Sequence, residues 1–174
     1  MMKKLLFYLG IVVTSCYLAF LSSCCTDCDM ESENIFNLES LAVDPSADIN
    51  DNFIVTYGVT TEGFPQFLFD IYLSNDDQLD AGDLKIADGL ADTDTSPGSN
   101  KIYTNKVYFR TALEPGTGAI KFTHSFDQMN WEGTATTEEN LSGKIKYIIG
   151  RFYHTQGLQI MTLTTRLSVR VNFE

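Results

Sequence analysis

Short alternating runs of apolar and polar residues fill most of the chain after its first thirty positions, and none repeats at a helical period. In NFIVTYGV, Phe53, Val55, Tyr57 and Val59 share one face and Thr56 and Gly58 the other. AIKFTHSF sets Ile120, Phe122, His124 and Phe126 on alternate positions. KIKYIIGRFY aligns Ile145, Tyr147 and Ile149, and RLSVRVNF alternates Leu167, Val169, Val171 and Phe173 with Arg166, Ser168, Arg170 and Asn172. Period two is the signature of strands with one buried face. FLFDIYL, Phe67 to Leu73, is apolar on both faces except at Asp70, as a central strand would be. KIYTNKVYFRTAL holds two further short strand signals. Gly-, Pro-, Asp- and Asn-rich stretches punctuate the runs, among them 44–51, 60–65, 74–83, 92–100, 114–118, 132–143 and 154–157. The pattern predicts an all-β fold: an antiparallel β-sandwich of eight or nine strands over residues 34–174. Residues 127–142 are the least regular, reading as a long loop or a short helix near 137–141.

The N-terminus has a different grammar. Lys3 and Lys4 precede an uncharged run from Leu5 to Leu21, followed by Ser22, Ser23 and Cys24. This is the layout of a secretory signal peptide, residues 1–23. As a helix the run would extend about 25 Å, short of a bilayer core of about 30 Å. Leu21-Ser22-Ser23-Cys24 resembles a bacterial lipobox, in which the cysteine is acylated and becomes the first mature residue. Cys25 would put Ser22 where the motif wants leucine, so Cys24 is the expected lipidation site. The following CTDCDMESE, with Asp27, Asp29, Glu31 and Glu33, resembles the acidic export signal of Bacteroidetes lipoproteins. The resemblance implies an outer-membrane protein, displayed on the cell surface and held through the lipid on Cys24 by the tether 24–33.

Charge narrows the partners. The chain carries 12 Lys and Arg against 23 Asp and Glu; loss of Lys3 and Lys4 with the leader leaves 10 against 23, a net of −13. Such a field disfavours nucleic acid and leaves an extracellular protein or glycan as the partner class. Cys25 and Cys28 have C-x-x-C spacing, but they sit in the tether with no βαβ pattern around them, so a local disulfide is a better reading than a redox centre.

The stretch SNDDQLDAGD, residues 74–83, has two readings. Asp76, Gln78 and Asp80 fall at positions one, three and five of a calcium loop, but glycine and the last acid arrive one residue late, at Gly82 and Asp88. A looser calcium site would use Asp76, Asp80, Asp83 and Asp88. The other reading is a tight hairpin turn closed by Asp, Asn and Gly. No organic cofactor is expected; calcium is the one candidate ion.

FIVTYGVTTEG and FLFDIYLSNDDQLDAGDLKIADG resemble the CARDB domain, the cell adhesion related domain found in bacteria. The resemblance rests on Tyr72-Leu73-Ser74, on Leu79-Asp80-Ala81-Gly82-Asp83 and on Ile86-Ala87-Asp88-Gly89, with LEPGTGAI matching a later turn. It covers roughly residues 36–120, and the chain adds about 50 residues beyond it. It implies an Ig-like sandwich with an adhesion or spacer role.

Catalysis has no motif to carry it: G-x-S-x-G, H-E-x-x-H and a Walker-type loop are all absent. Asp127, Glu132, Glu138 and Glu139 read as solvated acids, and the chain is expected not to be an enzyme. His124 reads as a core or boundary residue. The sole tryptophan, Trp131, and Tyr153 are the candidate ligand-binding aromatics, either stacking on a ligand at a loop rim or folding back as core. The expected function is a non-catalytic binding or adhesion module. The alternatives are a structural subunit of an envelope or fimbrial assembly, whose last strand RLSVRVNFE could be donated to a partner sheet, and a carbohydrate-binding accessory protein.

Overall fold

The structure is a computed structural model that describes residues 35–43, 46–47, 52–62, 66–92, 101–127, 131–156, 159–163 and 166–174. The leader, Cys24, the acidic tether, and the turn stretches 63–65 and 93–100 lie outside the described residues.

The described strands form two sheets packed face to face, with no helix among the described residues. One sheet has the order β1-β3-β6-β7-β8, from Ile35–Val43 (β1), Asn52–Glu62 (β3), Lys101–Leu113 (β6), Ile120–Phe126 (β7) and Trp131–Thr137 (β8). The other runs β2-β11-β9-β4-β5, from Ser46–Ala47 (β2), Leu167–Phe173 (β11), Lys144–Gln156 (β9), Gln66–Ser74 (β4) and Leu84–Asp92 (β5), with Gln159–Leu163 (β10) pairing along β9. All pairings are antiparallel except the two-residue contact of β2 with β11. Nine strands have seven residues or more, as the spacing of alternating runs predicts, and β2 and β10 are short additions.

Alternation translates directly into burial where one face is apolar. Phe53, Val55, Tyr57 and Val59 are buried, as are Ile120, Phe122, His124 and Phe126 on β7 and Val171 and Phe173 on β11. Aromatic rings knit the two sheets together. Phe53 stacks on Phe109 within its own sheet at 4.7 Å and meets Phe173 of the other sheet edge-on at 6.2 Å. Tyr57 crosses to Phe152 at 4.5 Å, and Phe69 crosses to Phe126 at 5.0 Å. Each such ring contributes about 1.5–3 kcal/mol by leaving water.

The structure corrects three expectations. Lys101–Leu113 is one continuous 13-residue strand rather than two. Within the stretch expected to be loop or helix, Trp131–Thr137 is a strand, paired in register with β7 from Phe126↔Trp131 to Ile120↔Thr137. Its inward residues after the tryptophan are Gly133, Ala135 and Thr137, too small to produce a legible alternation; pairing to β7 supplies the order. On β9 the apolar row Ile145, Tyr147, Ile149 faces outward and leaves Ile145 45% exposed, while Ile148 and Phe152 enter the core. β9 carries apolar residues on both faces, so apolarity alone does not say which is inside.

Lys146 takes another inward position of β9 and is buried. Its ammonium donates to Glu139 Oε2 and to Asn75 Oδ1, each at 2.5 Å. The aliphatic stem thus lies in the end of the core, and its charge is met by two loops.

Candidate functional site

Strands β5 and β8 are the edges of their respective sheets, and they lie against each other on the same side of the sandwich. Each carries a glycine under a large core ring of the neighbouring strand. Gly89 pairs with Phe69, and a Cβ there would lie 2.4 Å from Phe69 Cζ. Gly133 pairs with His124, and a Cβ there would lie 2.3 Å from His124 Cε1. The rings therefore swing over bare backbone at both edges, and a cleft of about 360 Å³ remains beside Gly89. It is lined by Leu68, Phe69, Asp88, Gly89, Leu90, Trp131 and Tyr153.

The two aromatics singled out in the sequence thus meet at one cleft. Trp131 opens β8 and is half-buried, its ring 5.0 Å from that of His124 at 50°. It is neither a free loop-rim residue nor a fully buried plug. Tyr153 comes from the outer face of the other sheet, where Leu90, Leu68 and Tyr153 form one cross-strand row and Asp88, Asp70 and Arg151 form the next.

That second row holds Tyr153 in place. Asp70, the lone charge in FLFDIYL, is 2% exposed. Arg151 Nε donates to its Oδ2 at 3.0 Å and a second guanidinium N–H of Arg151 donates to the same oxygen, while Lys85 Nζ lies 3.6 Å from Oδ1. The guanidinium is sandwiched between two rings, 5.5 Å from the Tyr72 centroid and 5.1 Å from that of Tyr153. Stacking of this kind contributes about 0.5–1 kcal/mol per ring near the surface. Burial works against the charge on Arg151, but the hydrogen bond and charge of Asp70 outweigh it and hold the guanidinium above its ordinary pKa. Burial, reinforced by the charge of Asp70, raises the phenols of Tyr72 and Tyr153, so both are neutral at pH 7. Asp88 is half exposed at the rim, 3.7 Å from Lys85 Nζ.

His124 forms the wall behind Trp131. It is 3% exposed, and neither ring nitrogen has a partner in hydrogen-bond geometry. Burial lowers its pKa, with the charge of Asp88 and the nearby Ile86 carbonyl pulling the other way, so the imidazole is neutral at pH 7.

The acidic turn is elsewhere, at the tip of the β4–β5 hairpin. Ser74 Oγ accepts from the Asp76 N–H at 3.2 Å and Asp76 Oδ1 from the Gln78 N–H at 2.8 Å. Asp80 Oδ1 accepts from the Gly82 N–H at 2.6 Å, and Asp83 Oδ2 from the Asp80 N–H at 2.8 Å. The carboxylates of Asp76, Asp80 and Asp83 are thus engaged by the turn's own backbone, while Asp88 lies beyond it on β5. Among the described residues no group of three or more His, Cys, Asp and Glu is placed to hold a metal ion.

Sequence reasoning named Trp131, Tyr153 and Asp88 but missed Leu68, Leu90, Gly89 and the Asp70–Arg151 support. Asp70 carried a signal: a lone carboxylate in a two-faced apolar strand demands a buried cation. Nothing local pointed to Arg151 as that cation. Scans of this chain against known protein families and against curated proteins found no match.

Proposed function

We propose that this chain is a lipid-anchored module, displayed on the outer face of the outer membrane through Cys24, that binds an extracellular protein or glycan without catalysis. The observation that carries the reading is the convergence of Trp131 and Tyr153, from different sheets, on one cleft with Leu68, Leu90 and Asp88. Small-ligand sites are concave and mostly apolar, with a few polar groups to orient the ligand, and hot spots favour tryptophan and tyrosine. The leader, the lipobox and the acidic tether support export and anchoring. An adhesion role also agrees with the CARDB-like stretch. The structural-subunit alternative has less support. The strand it would donate already lies in its own sheet, with Val171 and Phe173 wholly buried.

The test is binding of cells displaying the full-length protein to arrays of extracellular matrix proteins and glycans, alongside Trp131→Ala and Tyr153→Ala. Loss of about tenfold or more in affinity for either variant is expected; unchanged binding by both would remove the cleft from the account. Metabolic labelling with an alkynyl fatty acid tests the anchor: label is expected on the wild type and absent from Cys24→Ser.

A further inference from the structure

A second concave surface lies on the other side of β8, on the outer face of the five-stranded sheet. Trp131 lines the cleft beside Gly89, and its neighbour Glu132 lines this hollow of about 680 Å³. Ile54, Tyr108, Ser125 and Glu132 form one cross-strand row through it, on β3, β6, β7 and β8. Arg110 and Thr123 sit side by side in the adjacent row. With strands about 4.8 Å apart, the first row is about 14 Å long.

Two properties set the hollow apart from ordinary sheet surface. Tyr108 is 39% exposed in mid-sheet, with Ile54 beside it. Around it stand five side chains with hydrogen-bonding groups, Tyr108, Arg110, Thr123, Ser125 and Glu132, and none makes a side-chain hydrogen bond or ion pair among the described residues. On the opposite sheet, by contrast, the equivalent charges are locked together as Asp70, Arg151 and Lys85. The free groups offer donors and acceptors of both signs around an aromatic face, all held on strands rather than loops.

We propose that this hollow is a binding site for an uncharged saccharide, distinct from the cleft of Trp131 and Tyr153. The charges of Arg110 and Glu132 balance within the hollow, so it carries no net field to select an ion. The chain as a whole has a net charge of −11, which repels acidic polymers and a second copy of the chain alike. Its apolar surface, from Tyr108 and Ile54 with Phe109 behind them, is small, too little for a protein interface core. A polyhydroxylated ring matches what remains: its C–H face stacks on Tyr108, and its hydroxyls donate to Glu132 and accept from Arg110, Thr123 and Ser125.

The test is a titration of the full-length protein against neutral polysaccharides (β-glucan, xylan, mannan and galactan), with polygalacturonate as the acidic control. The variants are Tyr108→Ala, Glu132→Gln and Trp131→Ala. Binding to at least one neutral polymer is expected, weakened about tenfold by Tyr108→Ala and severalfold by Glu132→Gln, and more by Tyr108→Ala than by Trp131→Ala. Tyr108 and Glu132 are exposed, so neither substitution threatens the fold. The proposal is overturned if no neutral polymer binds, if polygalacturonate binds best, or if Tyr108→Ala and Glu132→Gln bind as the wild type does. Loss through Trp131→Ala alone would assign the sugar to the cleft and remove it from the hollow.

Discussion

Removing Glu139 should damage this fold more than removing the buried lysine it serves. Lys146 is an inward residue of β9 whose side chain is 5% exposed, while that of Glu139 is 38% exposed. Glu139→Gln leaves a buried ammonium facing Asn75 and a neutral amide. Breaking a buried pair in this way costs about 3–5 kcal/mol when water is excluded. Here Glu139 is partly solvated and the pair lies at the end of the core, so about 2 kcal/mol is the appropriate figure. Lys146→Met removes the charge together with the need to compensate it. Its stem volume is kept, and Glu139 retains Lys144 at 2.9 Å. A cost below about 1 kcal/mol is therefore expected. The double variant should be no less stable than Glu139→Gln alone, because the stranded charge has gone. Urea unfolding of the four proteins, followed by fluorescence and compared by linear extrapolation, measures all of these. If Lys146→Met costs as much as Glu139→Gln and the double variant is additive, the ammonium is not a buried liability and the reasoning fails. The same cycle with Asn75→Ala tests whether the acidic turn contributes to the core by capping Lys146.

Four further outcomes follow from the geometry. The folded-state pKa of His124 lies below its unfolded value, so the unfolded chain binds more protons between the two; stability should be full above about pH 6.5 and fall as pH drops toward the folded pKa, and His124→Phe should flatten that window. Hydrogen bonds from Lys146 and Lys144 lower the pKa of Glu139, so its contribution should be lost at more acid pH, below about 4.5, in a step that Glu139→Gln abolishes. Gly89→Ala should cost about 1–3 kcal/mol by thermal or urea unfolding, because its Cβ meets the Phe69 ring on a packed cross-strand pair. Calcium at about 1 mM should leave the melting temperature of the full-length protein unchanged, while Asp80→Ala lowers it with or without the ion, since Asp80 caps the Gly82 N–H; a calcium-dependent rise lost in Asp80→Ala would restore the acidic turn as a metal site.

What could be read from the sequence was whatever depends on neighbours along the chain. Period-two alternation is a property of the pleat itself, so the buried rows of β3, β7 and β11 were legible residue by residue. The hairpin of β4 and β5 was legible too, because Asp, Asn and Gly close turns through their own backbone. The tertiary structure alone decided what depends on partners far away in sequence. β8 has small inward residues and becomes a strand through its pairing with β7. β9 is apolar on both faces, so its core face was set by packing, which buried Lys146 and turned Ile145 to water. Trp131 and Tyr153 line one cleft because β8 lies against β5, the edge strand of the sheet that carries Tyr153 on β9. A cleft of that kind depends on strands far apart in the chain, and linear spacing carries no signal of it.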